Sequence, residues 1–197
     1  DNSQHIYFEA RKPKGLEHFN GLLHAVKNRK ITTITYYEFW EEIVREHIVH
    51  PLALKEAKGR WYLVAFDKTN GKVKNFGLDR IDDLEISKTS FRDKYDVNIN
   101  ELFLHSFGII NNEDKKPQTI RLSFAYEQGQ YVKAYPLHHS QKLIQEDEEV
   151  VIELYLRITY DFIMELLSFG EKVTVLSPKL LVTELKNSYR KTLSKYN

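Results

Sequence analysis

Arg45, His47, His50, Tyr62, Lys74 and Arg80 are the side chains here whose types and spacing suit the capture of an anion. Arginine presents a planar fork that holds a phosphate or carboxylate through two parallel hydrogen bonds and stays charged at any ordinary pH. Lysine adds a point charge, and a tyrosine ring offers a face on which a planar ring can stack. Tyr36 and Tyr62 are the candidate platforms. Each has a plainer reading. Arg80 can pair with Asp79, Asp82 or Asp83, and His50 can be hydrogen-bonded at a strand end. Tyr36 and Tyr62 can be partial core residues, while Trp61 reads as core. In strand alternation Trp61, Leu63 and Ala65 share one face and Arg60, Tyr62, Val64 and Phe66 the other, with Lys72, Lys74, Phe76, Leu78 and Arg80 together on the next strand.

Other chemistries are excluded or unsupported. The chain has no cysteine, which removes disulfides, thiolate catalysis and cysteine-based metal sites. His47 and His50 stand on opposite faces of a strand, and the adjacent His138 and His139 are expected to diverge; neither pair has the helical spacing of a zinc hydrolase, so no metal or cofactor is expected. Glu41-Glu42 and the run Glu146 to Glu149 read as turns where solvated charge is the default. No nucleophile elbow, phosphate-binding loop or dinucleotide fingerprint is present, and an enzyme is not expected. The formal net charge is +1, so any anion site must be a local concentration of positive charge. Lys186, Arg190, Lys191 and Lys195 read either as a nucleic-acid contact or as a solvated face suited to the negative end of a helix dipole.

The elements that would position these groups follow from periodicity. Within 197 residues, 12 Tyr and 11 Phe argue for a folded chain with one medium core or two small ones. Residues 1–15 read as a polar connecting segment. Leu16, Phe19, Leu22, Leu23 and Val26 predict a helix ending near Asn28. Strands are predicted over Thr32–Phe39, Val44–Leu54, Arg60–Phe66, Lys72–Leu78 and Leu84–Ser90, with Asn70-Gly71 as a tight turn. Residues 92–117 read as a linker, most clearly from Ile110 to Pro117. Beyond it the order β-α-β-β-α-β-α resembles a ferredoxin-like plait with an added helix, which Ser177 would cap ahead of Pro178 at its first position. No run is long enough to span a membrane and no signal peptide is visible; a chain opening Asp1-Asn2-Ser3, with Met164 its only methionine, is expected to be part of a longer protein.

Trp61-Tyr62-Leu63 before a hairpin, followed by Phe76-Gly77-Leu78-Asp79-Arg80-Ile81, resembles the signature of the WYL-domain family. His50-Pro51-Leu52-Ala53-Leu54 is similar to that family's Pro-x-x-Leu strand, and Lys30 to Tyr37 to its first strand. Gly15-Leu16-Glu17 and the helix to Asn28 extend the resemblance over about Gly15 to Ile81. Phe169-Gly170, Val173 to Leu176 and Ser177-Pro178 resemble the C-terminal extension that often follows such domains.

The resemblance implies an α+β protein. Residues 16–91 would form an Sm-like or SH3-like barrel with a leading helix, and residues 118–197 the ferredoxin-like extension. It further implies the sensing region of a bacterial, cytoplasmic, homodimeric DNA-binding transcription regulator. Its helix-turn-helix would precede this chain, and the barrel would bind an anionic ligand, a nucleotide or single-stranded nucleic acid. The family often carries a second arginine where this sequence has Gly77, with Lys74 or Arg45 as compensating cations. That departure favours the alternative, a dimerisation module with no ligand.

Overall fold

The computed structural model describes residues 13–196 together with His5 and Tyr7; the rest of the expected connecting segment over residues 1–15 lies outside the described residues. The chain divides into two compact units between Asp96 and Val97.

In the first unit, helix α1 (Phe19–Lys27) precedes strands β1 (Lys30–Glu38), β2 (Ile43–Ala57), β3 (Arg60–Asp67), β4 (Lys72–Gly77) and β5 (Ile81–Ser90). The strands form one antiparallel sheet of order β4-β3-β2-β1-β5. A barrel was expected; in this order β4 and β5 are the two edges and are not paired with each other. The 15-residue β2 serves two neighbours in turn, β1 through Val49 and β3 from Val49 onward, with a register shift between Pro51 and Ala53. Pro51 has no N–H to give a ladder, and it sits beyond the last β1 pair, where that loss costs nothing. Leu22 of α1 and Ile34, Tyr36, Val49, Leu63, Ala65, Phe76, Leu78 and Ile81 make the core, so these strand residues define the inner face.

Connections depart from the expected turn chemistry. The β2–β3 hairpin turns on Lys58-Gly59, both at positive φ (53° and 76°), the backbone a two-residue primed turn requires. Of Asn70-Gly71 only Gly71 takes positive φ, because the β3–β4 loop runs four residues between the paired Asp67 and Lys72. Residues 78–80 form a single 3-10 turn, and β5 begins at Ile81 rather than Leu84. Arg80 therefore leaves the β4 alternation that would have set it beside Lys74.

The second unit contains α2 (Ile99–Phe103), β6 (Gln118–Ala125), α3 (Tyr126–Ala134), β7 (Lys142–Glu146), β8 (Glu149–Leu156), α4 (Tyr160–Ser168), β9 (Val173–Ser177) and α5 (Lys179–Leu193). From β6 onward the element order is the expected one, and the sheet order β7-β8-β6-β9, antiparallel throughout, is that of a ferredoxin-like plait. Ile120, Leu122 and Phe124 of β6 and Val150, Ile152, Leu154 and Leu156 of β8 fill the core against α4 and α5. Ser177 does not cap α5: it belongs to β9, paired with Arg121, and Pro178 occupies the cap position. The expected connector over residues 92–117 divides between the units. Its later part packs on the second, where Asp161 accepts the N–H groups of Ile109 and Ile110 at 2.9 and 3.0 Å and Phe107 meets Phe162.

Gly129 of α3 sets how closely that helix approaches the sheet, since a Cβ there would lie 2.3 Å from Val150 Cβ. Gly129→Ala is expected to destabilise the second unit by about 1–3 kcal/mol through overpacking, read by denaturant unfolding, and Val150→Ala in the same chain should return part of the loss.

Candidate functional site

The expected anion-binding residues do not converge on one pocket. Inner-face alternation brings Tyr36, His47 and Lys74 to the same end of the sheet, but His47 and Lys74 are committed to a buried carboxylate. Asp67, fully buried, accepts from His47 Nδ1 at 3.0 Å, Lys74 Nζ at 3.2 Å, Thr69 N at 2.9 Å and the Asn70 amide. Burial by itself raises this carboxyl's pKa; the hydrogen bonds from Asn70, Lys74, His47 and Thr69 outweigh it and leave the value at about 2. His47 Nε2 lies 3.4 Å from Glu38 Oε1 and is buried without a hydrogen bond.

His50 lies on the outer face, where it shares a 2.5 Å hydrogen bond with Tyr95 and stacks on Phe91, centroids 4.4 Å apart. Its pKa is lowered, first by burial. It fastens the segment after β5 to the sheet, as Tyr95 stacked on Phe66 also does. Tyr62 is likewise on the outer face, opposite Lys55 and Gly77 in register. Arg45 reaches out at the β1–β2 hairpin, half-exposed, and pairs with Glu41 at 2.5 Å.

Arg80 stands apart from all of these. The 3-10 turn swings its guanidinium over the rings of Tyr36 and Phe39, at 4.9 and 5.0 Å from their centroids. Tyr36 is a core residue, not a stacking platform for a ligand: it is 2% exposed, its hydroxyl accepts from Gly77 N at 3.1 Å, and burial pushes its pKa up to about 12 against the opposing pull of Arg80. Gly77 leaves the space this arrangement needs, since a Cβ would sit 2.5 Å from Asp79 Oδ1 and 3.2 Å from Arg80 Nε.

A pocket of about 470 Å³ opens beside Arg80, lined also by Lys14, Arg60, Trp61, Tyr37 and Phe39 and by Asp79 and Asp82. Trp61 is partly buried, its ring packed edge-on to Phe19 at 4.7 Å. Arg60, itself exposed, pairs with the half-buried Asp79 at 3.6 Å, a contact that an incoming anion can replace. Gly15, at φ 83°, brings Lys14 past the Leu78 carbonyl, where a Cβ would lie 2.1 Å from the oxygen. Of the expected residues only Arg80 lines this pocket, supported from beneath by Tyr36. Sequence reading missed Lys14, Phe39 and Arg60; the Arg60 to Phe66 alternation placed Arg60 only at a hairpin rim.

His138 and His139 do not diverge: they lie in a turn rather than a strand, so alternation does not apply, and their rings come within 4.0 Å. Burial, then the neighbouring His139 and His105, pushes the His138 pKa down to about 4. Among the described residues no group of three or more His, Asp or Glu is placed to hold a metal ion, and no helix is long and apolar enough to cross a membrane.

Fold and site together define a two-unit chain, an open five-stranded sheet with an arginine-bearing pocket followed by a ferredoxin-like plait. The chain carries a WYL domain and a WCX domain: residues 17–86 match the first and residues 116–193 the second. Among solved structures it is similar to proteasome accessory factor B/C (PafBC) of Arthrobacter aurescens, with a TM-score of 0.42 and 19% identity over 96% of this chain and 29% of that one. It also shares its fold with a CRISPR Cas-related protein, with a TM-score of 0.55 and 13% identity over 93% of this chain and 52% of that one. The chain thus spans about a third and about half of the lengths of these two structures. No curated protein matches it.

The low pKa of Asp67 carries a stability signature. The stabilisation is complete above the ordinary carboxylate range and is lost as pH falls from about 4 through about 2. Asp67→Asn is expected to cost roughly 2 kcal/mol at neutral pH and to flatten the acid limb of the first unit's stability curve, measured by denaturant unfolding at stepped pH.

Proposed function

We propose that this chain is the ligand-sensing region of a bacterial DNA-binding transcription regulator, acting in the cytoplasm, and that its sensory site is the pocket beside Arg80. The single observation that carries the reading is the guanidinium held over Tyr36 and Phe39 at the edge of a pocket whose other cations are Lys14 and Arg60. Stacking on two rings fixes the plane of the fork before any ligand arrives, so less side-chain entropy is lost on binding. Phe39, Tyr37 and Trp61 supply aromatic walls beside these cations. Cations and aromatic surface in one pocket suit a nucleotide or a short single strand, whose phosphate meets Arg80 and whose base stacks.

The site is assigned a binding role. A bound ligand regulates only by binding two arrangements of the regulator unequally, the second arrangement involving the DNA-binding segment that this reading places elsewhere in the full protein. A second reading, self-association without a ligand, is favoured by one observation. Trp40 is 97% exposed at the β1–β2 hairpin, beside exposed Phe39, Ile43 and Val44. Sedimentation velocity of the wild-type chain and Trp40→Ala distinguishes it: a dimer lost in the variant, with no response to any anion, favours self-association.

The sensory reading is tested by fluorescence anisotropy of labelled short single-stranded and duplex oligonucleotides across a salt series, with mononucleotides as competitors. Arg80→Ala is expected to weaken single-strand binding on the order of tenfold or more, and Arg80→Lys to recover only part, since it keeps the charge and loses the fork. Binding that is absent at low salt, or equal in Arg80→Ala, rejects the assignment.

A further inference from the structure

Negative charge alone does not account for the walls of the Arg80 pocket. Beside the cations Lys14, Arg60 and Arg80 it carries two carboxylates, Asp79 and Asp82. An ionised carboxylate only accepts hydrogen bonds and repels a second anion, so a bare phosphate gains nothing from either acid. A ligand that uses the whole pocket presents hydrogen-bond donors as well as negative charge.

The two acids are not equivalent. Asp79 is half-buried and paired with Arg60 at 3.6 Å. Asp82 is exposed, and among the described residues no hydrogen bond or ion pair engages it. Its position comes from an irregularity in the sheet. Across the β1–β5 ladder Tyr36 faces Ile81 and Thr35 faces Asp83, so one step along β1 spans two along β5. Asp82 is the extra residue of a β-bulge and has no partner opposite it; bulges of this kind re-aim a side chain. Ile81 stays in the core beside Tyr36, while Asp82 leaves the alternation and lines the pocket.

Guanine is the base whose donors fit one carboxylate. Its N1–H and its N2 amino group point the same way, side by side, and can give two parallel charge-assisted hydrogen bonds to the two oxygens. Adenine and cytosine each offer an amino group next to a ring-nitrogen acceptor, and thymine offers one N–H between two carbonyls. Against Asp82 each of these leaves a carboxylate oxygen facing a lone pair. We infer, on the reading of this pocket as a nucleotide or single-strand site, that Asp82 is its base-reading residue and selects guanine. The phosphate lies on Arg80, the ring lies against the pocket's aromatic side chains, and the N1–H and N2 amino edge donates to the Asp82 carboxylate.

The test is fluorescence anisotropy of the full chain with labelled pentadeoxynucleotides that carry thymine throughout except at the central base. Central guanine is expected to bind on the order of tenfold tighter than central adenine, cytosine or thymine. Central hypoxanthine, which keeps the N1–H and lacks the amino group, should fall between. Asp82→Asn, whose amide offers one acceptor and one donor, should erase the preference for guanine and bind the all-thymine strand at least as tightly, since a negative charge has gone. Asp83→Asn, one residue on and outside the pocket lining, should keep the preference. Equal affinity for every central base, with binding still lost in Arg80→Ala, overturns guanine selection and leaves the assignment of the pocket standing. A guanine preference unchanged in Asp82→Asn overturns Asp82 as the reader. Absence of binding by every strand, or binding indifferent to Arg80→Ala, overturns both.

Discussion

A carboxylate without solvent exposure must be paired, and in the first unit that requirement falls on Asp67 at the end of β3. Its partners come from three directions: His47 on β2, Lys74 on β4, and the backbone and amide of the loop between β3 and β4. The low-dielectric interior makes each bond strong and makes a missing one costly. One side chain thereby fixes where β3 ends, how the four-residue loop turns and which way two neighbouring strands present their polar residues. It also engages two of the expected anion-binding side chains, His47 and Lys74, which are bound to a buried carboxylate.

What remains free to act is set by the next connection. Gly77 ends β4 and the chain turns through Leu78, Asp79 and Arg80 before β5. Leu78 drops into the core, Asp79 faces Arg60, and Arg80 lies over Tyr36 and Phe39. The absence of a Cβ at Gly77 is what lets Asp79 and Arg80 fold back over the backbone. The glycine that departs from the family's frequent arginine is thus part of the geometry that orients the arginine three residues later.

The second unit solves a different problem. Its alternating apolar strands bury one face of a sheet under helices, and Gly129 allows α3 to lie close on Val150. Here too a carboxylate, this one only partly buried, organises the entry to the domain: Asp161 holds the backbone at Ile109 and Ile110, so a polar segment that reads as a connector becomes part of the packed unit. The same local economy leaves Thr159 unpaired at the start of α4.

Element types, their order and the two domains were legible in the sequence because they rest on local physics. Period-two alternation in β1, β3, β6 and β8, helical spacing in α1, and the run from Trp61 to Ile81 each need only neighbours along the chain. The candidate site was legible only in part. Arg80, one of the cations the sequence singles out, lines a pocket, but the set drawn around it mixed three environments. Alternation extended one turn too far joined Arg80 to Lys74, and no local pattern reveals that His47 and Lys74 answer to Asp67 or that His50 answers to Tyr95. Those pairings join residues on different strands and segments, from seven to 45 positions apart, whose side chains meet only when the sheet forms. The sequence by itself determined which residues are strand, helix and cation; the tertiary structure decided which cations are spent on buried partners and which face solvent, because pairing energy depends on burial and distance, and neither exists until the strands are side by side.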